Sequence, residues 1–314
     1  MIDIHSHQST PISNDEFGRV VKGMDANNLR LLVNLSGSSG DRLRRGVEAI
    51  KHSSYADRMV LFANVDFRSI GPGSGAKAAK QLEADINAGA VGLKVFKDLG
   101  MFDQKADGSR LRVDDPELDP IWETCARMNV PVLIHVAEPQ AFFDPLDYNN
   151  ERWLELSLYP DRRHQDGVRF EQLMTERNAM VKKHPNTKLH PRALRLARER
   201  PGQGGQAALT RTRMSTTTSP RCSTTSAASR ARRTSSSSAT RTGFSSARTA
   251  TSPTSTLITG ASSRPTTRYF DYYRDYHAFW KLYGIGLPDQ VLRKLYYQNA
   301  LKLTPGIPRA GFTD

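Results

Sequence analysis

Continuous apolar runs, helical patterns between them, and histidines where two of those runs end together predict an α/β fold of parallel βαβ units. Five such units recur at roughly 30–40-residue spacing, which suits a (β/α)8 barrel or a doubly wound sheet. Barrel enzymes place their chemistry at the C-terminal ends of the strands, where His5, His7 and His135 all fall.

The first unit begins with Met1-Ile-Asp-Ile-His5-Ser-His7, a short strand tipped by two imidazoles. Residues two apart on a strand share a face, so both rings can reach one ion. Neutral imidazole suits zinc and its first-row neighbours. The competing reading is two polar residues that end a strand and face water. Ser13-Asn-Asp-Glu16 has capping-box spacing and opens a helix through Phe17, Val20, Val21 and Met24. Leu29 to Leu35 is the second strand, and Gly-Ser-Ser-Gly then leads to a helix around Asp41 to Ile50. Met59 to Val65 is the third strand, followed by a Gly71-Pro-Gly turn and a helix from about Ala76 to Ala88. Val91-Gly-Leu-Lys-Val-Phe96 is the fourth. Asp114-Asp-Pro116 opens a helix through Trp122 to Met128, and Pro131-Val-Leu-Ile-His135 is the fifth strand.

An aromatic- and Asp-rich stretch from Phe142 to Pro160 reads as a substrate-covering loop or as a loop packing its own aromatics. A helix near Val168 to Lys183 follows, and His184 to Lys188 is a turn of the kind that precedes a strand. No strand pattern comes after it. From Leu189 to Thr267 the text is Arg, Ser, Thr, Ala, Gly and Pro, expected to be disordered because it buries too little apolar surface. At Tyr269 the enzyme-like pattern resumes as an aromatic helix through Trp280 and an amphipathic helix from Pro288 to Leu303. The expected division is therefore 1–188, 189–267 and 268–314.

The formal charge of +13 is local: the 189–267 block holds thirteen Arg, no Lys and a single acid, Glu199, and so accounts for +12 of it. The remainder is near neutral, as for an ordinary enzyme surface. The block has one aromatic, Phe244, for base stacking and sits inside a domain, which argues against a nucleic-acid-binding segment that neutralises phosphates with Arg. A shifted reading frame explains it better. Synonymous codons for Gly243 to Ser255, read from the third base, encode an apolar strand ending in Lys-Asp. Leu189 to Leu196 hides a strand followed by histidine, but at a different offset. Three single-base slips of one sign, entered near Lys188 and left near Arg268, account for both.

Two cysteines, Cys125 and Cys222, give neither a disulfide framework nor a Cys-rich metal site. No apolar stretch approaches the length of a membrane span, and no secretion signal precedes the first strand, so a cytoplasmic protein is expected. The chain begins almost inside that strand, which leaves room for a few residues upstream.

Met1 to His7, Val91 to Asp98, Pro131 to His135 and Tyr297-Gln-Asn-Ala-Leu-Lys-Leu303 resemble the amidohydrolase superfamily, specifically amidohydrolase family 2, metal-dependent TIM-barrel hydrolases. The resemblance covers about residues 1–188 and 269–314. It implies a (β/α)8 barrel, incomplete here because strands six to eight are replaced by the anomalous block. It implies one divalent metal, zinc, held by His5, His7 and His135 together with an Asp on strand eight, and an acid/base His on strand six. Those last two fall in the block and are missing from this chain; His190 lies near by number but is out of frame and takes no role. The implied activity is attack of metal-activated water on a carbonyl-type small molecule, impaired in this copy. The same site in the family also supports nonoxidative decarboxylation and lactone hydrolysis. The alternative of another class is an inactive frameshift product.

Around this site, Lys94 and Lys97 either meet a substrate carboxylate or make salt bridges at the strand end, the bridge being the favoured reading for Lys97. Glu138 reads as a solvated loop acid, or else as the group orienting a ligand histidine. Trp122 and Trp153 read as packing residues. The expected partner is a small-molecule substrate, with no nucleic acid and no membrane.

Overall fold

The computed structural model describes residues 1–68, 70–189, 270–271, 281–282 and 286–312. The apolar runs form parallel strands β1 (Ile2–Ser6), β2 (Leu31–Asn34), β3 (Met59–Leu61), β4 (Ala63–Asn64), β5 (Leu93–Val95) and β6 (Val132–Ile134). They pair in the orders β1-β2-β3 and β4-β5-β6. β3 and β4 are one run interrupted at Phe62: its N–H donates to Asn34 O at 2.9 Å, whereas Ala63 N–H crosses to Gly92 O at 2.8 Å. One arc thus passes through both triplets, each strand beside its predecessor in sequence. A doubly wound sheet reverses order at a switch point, and this arc does not. The progression is that of a (β/α)8 barrel.

The helices are α1 (Asn14–Ala26), α2 (Gly40–Lys51), α3 (Ser74–Asn87), the kinked turn α4 (Asp98–Met101), α5 (Asp119–Arg127), α6 (Trp153–Leu158), α7 (Phe170–Lys183), α8 (Asp289–Arg293) and α9 (Asn299–Leu303), the last two flanking a π-helical turn, Lys294–Gln298. The cap expected at Ser13 forms, its side chain accepting from Glu16 N–H at 3.2 Å. The Glu16 carboxylate takes the Ser9 hydroxyl at 2.8 Å instead of closing a reciprocal capping box.

The two faces of the arc have different partners. Leu32, Leu61, Leu93 and Val132 share a core with Phe17 of α1 and Trp122 of α5. Val33, Phe62 and Leu133 point the other way and pack with Ala300 of α9 and with Ile307. Helices form the outer ring of a barrel, so the second face is the inner one. The C-terminal residues therefore floor the inner face near the strand starts, where Gly306 lies against Val91 so closely that a Cβ would meet the valine side chain at 2.4 Å.

Two expectations change. The strand that the sequence does not announce after Lys188 does begin: Val132 N–H donates to Lys188 O at 2.8 Å, and Leu189 bridges Val132 in parallel. Backbone pairing to an existing strand sets that start, whatever side chains follow. The aromatic helix expected from Tyr269 gives way at its edges to an antiparallel pair, Phe270–Asp271 with Lys281–Leu282, in keeping with the β preference of aromatic residues. The rest of that segment and the 190–267 block lie outside the described residues. Among the described residues no helix is long and apolar enough to cross a membrane.

Candidate metal centre

The site starts from an irregularity in β1. Ile2 pairs with Leu31 and Asp3 with Leu32, but Ser6 pairs with Asn34, so β1 spends one residue more than β2 over the same length. That is a β-bulge, and an extra residue exchanges the faces of everything after it. Before the bulge Asp3 shares the helix-facing side with Leu32. After it Ser6 takes that side with Asn34, and His5 and His7 turn to the inner face. The extra residue also removes one N–H from the ladder; the His5 N–H donates instead to Asp3 Oδ1 at 3.0 Å.

The inner face holds the other candidates in register. Lys94 pairs with Leu133, an inner-face residue, and His135 follows Ile134, an outer-face residue, by one position. His135 sits just past β6, with its N–H donating to Val95 O at 3.0 Å. The His5 and His7 rings lie 5.2 Å apart, edge to face, and His7 lies 5.9 Å from the Phe96 ring. Lys94, 1% exposed, holds its Nζ 5.1 Å from that same ring. His7 Nδ1 is 2.8 Å from Ser36 Oγ, which leaves Nε2 as the nitrogen through which it would meet an ion. Ser36 is itself set by Asn34, whose Oδ1 accepts from the N–H groups of both Gln8 and Ser36 at 3.0 Å.

Two imidazoles on one face, with a third just past β6 at the other end of the arc, are the kind of nitrogen donors a first-row divalent metal takes, so the residue types present fit such an ion. Among the described residues, no three or more His, Cys, Asp or Glu gather closely enough to hold a metal ion, so His5 and His7 come together and His135 does not join them in one cluster. Cys125 is no candidate: it is buried, and burial pushes its thiol up to about 12.

Three further expectations meet different outcomes. Glu138 is no solvated acid; it is 8% exposed and ion-paired with Lys97, which makes the strand-end bridge expected of it. A carboxylate drawn out of water needs such a partner. Trp122 is fully buried, as a packing residue should be, whereas Trp153 is half exposed on the short α6. The stretch after Phe142 packs its own aromatics, one of the two readings of it. Phe142 and Phe143 pack against His164, and the Asn150 side chain ties the loop by donating to Ala141 O at 2.8 Å and Pro145 O at 2.9 Å. Tyr148 and Trp153 stay outside this packing. Burial lowers the His164 pKa, and the Lys97 cation adds to that while Glu138 opposes it.

Asp3, Ser36, Asn34 and Phe96 were not singled out by sequence. The signals were slight: an Asp two places before the first histidine, and an aromatic at the tip of the fourth run.

The amidohydrolase family matches residues 2–189, and the chain belongs to it. Among solved structures, 2,6-dihydroxybenzoate decarboxylase from Rhizobium is 17% identical, over 60% of this chain and 64% of that one, with a TM-score of 0.36. 4-Oxalomesaconate hydratase from Rhodopseudomonas palustris is 16% identical, over 60% and 61%, with a TM-score of 0.37. A dihydroxybenzoic acid decarboxylase from Polaromonas, holding manganese, is 16% identical, over 60% and 63%, with a TM-score of 0.38. The chain spans less than two thirds of each of these proteins. No curated protein matches it. Enzymes of this family bind a divalent metal, manganese in the Polaromonas protein.

Proposed function

We propose that the chain derives from a metal-dependent hydrolase of small carbonyl compounds, with His5, His7 and His135 as ligands of a divalent metal, zinc by donor chemistry. The observation that carries this is the inner-face register shared by the bulged tip of β1, Lys94 and the residue after β6. When bound, the metal supplies a water of lowered pKa and a Lewis acid for the carbonyl. The protein's own groups do the rest of what this half-site can do. Ser36 holds the His7 ring through Nδ1. Lys94, buried on the same face, receives a carboxylate or carbonyl oxygen of the substrate, with Phe96 as the adjoining wall.

The same reading makes this exact copy impaired or inactive. The family's strand-six histidine and strand-eight aspartate belong to the stretch read out of frame, and the division into 1–188, 189–267 and 268–314 follows from that shift. Nucleotide sequence across codons 188–268 tests it first, and three single-base slips are expected. A gene with those slips corrected should then hydrolyse lactones or amides in a chelator-sensitive way that the present chain lacks. Absence of slips in the gene, or equal activity of both chains, contradicts the reading.

A further inference from the structure

We infer that Asp3 is the positioning residue of the histidine pair, because its carboxylate fastens the bulge that turns His5 and His7 to the inner face. Without the extra residue, His5 and His7 would share the side of Asp3, which is the side of Leu32 and the helices. The whole placement of the pair therefore depends on one irregular step between Asp3 and Ser6. An irregular step leaves a backbone N–H outside the ladder, and a buried N–H without an acceptor costs about 1–3 kcal/mol. Here the displaced donor is that of His5 itself, and Asp3 Oδ1 accepts it at 3.0 Å. Both residues are buried, Asp3 at 7% and His5 at 5% exposure, so water offers the N–H little substitute. The carboxylate acts through the backbone, and no contact of Asp3 with an ion is needed.

The metal arm of the test rests on the reading of His5, His7 and His135 as ligands; a second arm does not. In the metal-free full-length chain, the Cε1 proton of His7 reports its place beside the His5 and Phe96 rings through ring-current shifts. Zn2+ affinity is measured by competition on the same samples. Asp3→Asn keeps an oxygen that can accept the His5 N–H and should retain both the His7 shift and the affinity. Asp3→Ala should move the His7 resonance towards its position in an unfolded chain and weaken Zn2+ binding roughly 10-fold or more. If Asp3→Ala does not fold, Asp3→Asn decides alone: an unmoved His7 signal supports the role and a displaced one overturns it. An Asp3→Ala chain with the wild-type His7 shift overturns it as well. If the unsubstituted chain binds no Zn2+, the ligand reading fails, and the resonance arm still decides the role of Asp3.

Discussion

Lys97 and Glu138 lie 41 positions apart in the chain and meet as an ion pair where β5 and β6 end. The pair is asymmetric. Lys97 keeps 37% of its side chain in water, whereas the Glu138 side chain keeps 11%. Lys97→Met should therefore cost about 1–3 kcal/mol in urea unfolding, chiefly by leaving Glu138 short of its partner. Replacing both residues with apolar ones should cost less than replacing Lys97 alone. Above the pair, His164 sits among Phe102, Phe142 and Phe143. Burial lowers its pKa, so the folded chain holds it neutral more firmly than the unfolded chain does. The sign follows: the stability it contributes is full above the unfolded value of about 6.5 and drains away as pH falls through the lowered folded value. His164→Phe should flatten that part of the stability–pH curve measured by thermal unfolding; an unchanged slope would assign it to other groups.

At the scale of elements, close backbone approach is the sharpest constraint. Gly75 in the first turn of α3 lies against the Pro116–Leu118 turn, so that a Cβ would stand 1.6 Å from Glu117 O. Its N–H donates to Glu117 Oε1 at 2.9 Å. Gly75→Ala must part the two elements and should cost about 1–3 kcal/mol in chemical denaturation. This contact also shows where sequence reading stops. Strands and helices were readable because parallel strands are continuous apolar runs and the helices carry one apolar stripe. Met59 to Val65 reads as a single strand and forms two, Met59–Leu61 and Ala63–Asn64, interrupted at Phe62. The histidine tips were readable for the same reason. The bulge was not, since a register exists only between two strands, and β1 looks regular by itself. His5 and His7 share a face in either register, so the pattern alone could not say which. Glu138 reads as solvated in the sequence because its partner, Lys97, arrives from another strand end.

For the molecule as a whole, the described residues form an arc of parallel strands continued past β6 by a parallel bridge at Leu189, where the family match also ends. The C-terminal residues return to the inner face beneath that arc, with Ala300 and Ile307 against Val33 and Leu133. Residues on both flanks of the 189–267 stretch thus pack into one core. The central claim is that one metal position lies on the inner face, shared by His5, His7 and His135. Equilibrium Zn2+ binding to the full-length chain and to His5→Ala, His7→Ala and His135→Ala tests it most directly. The account predicts a single site in the unsubstituted chain that each of the three substitutions weakens. Zn2+ binding that survives all three at full strength would contradict it.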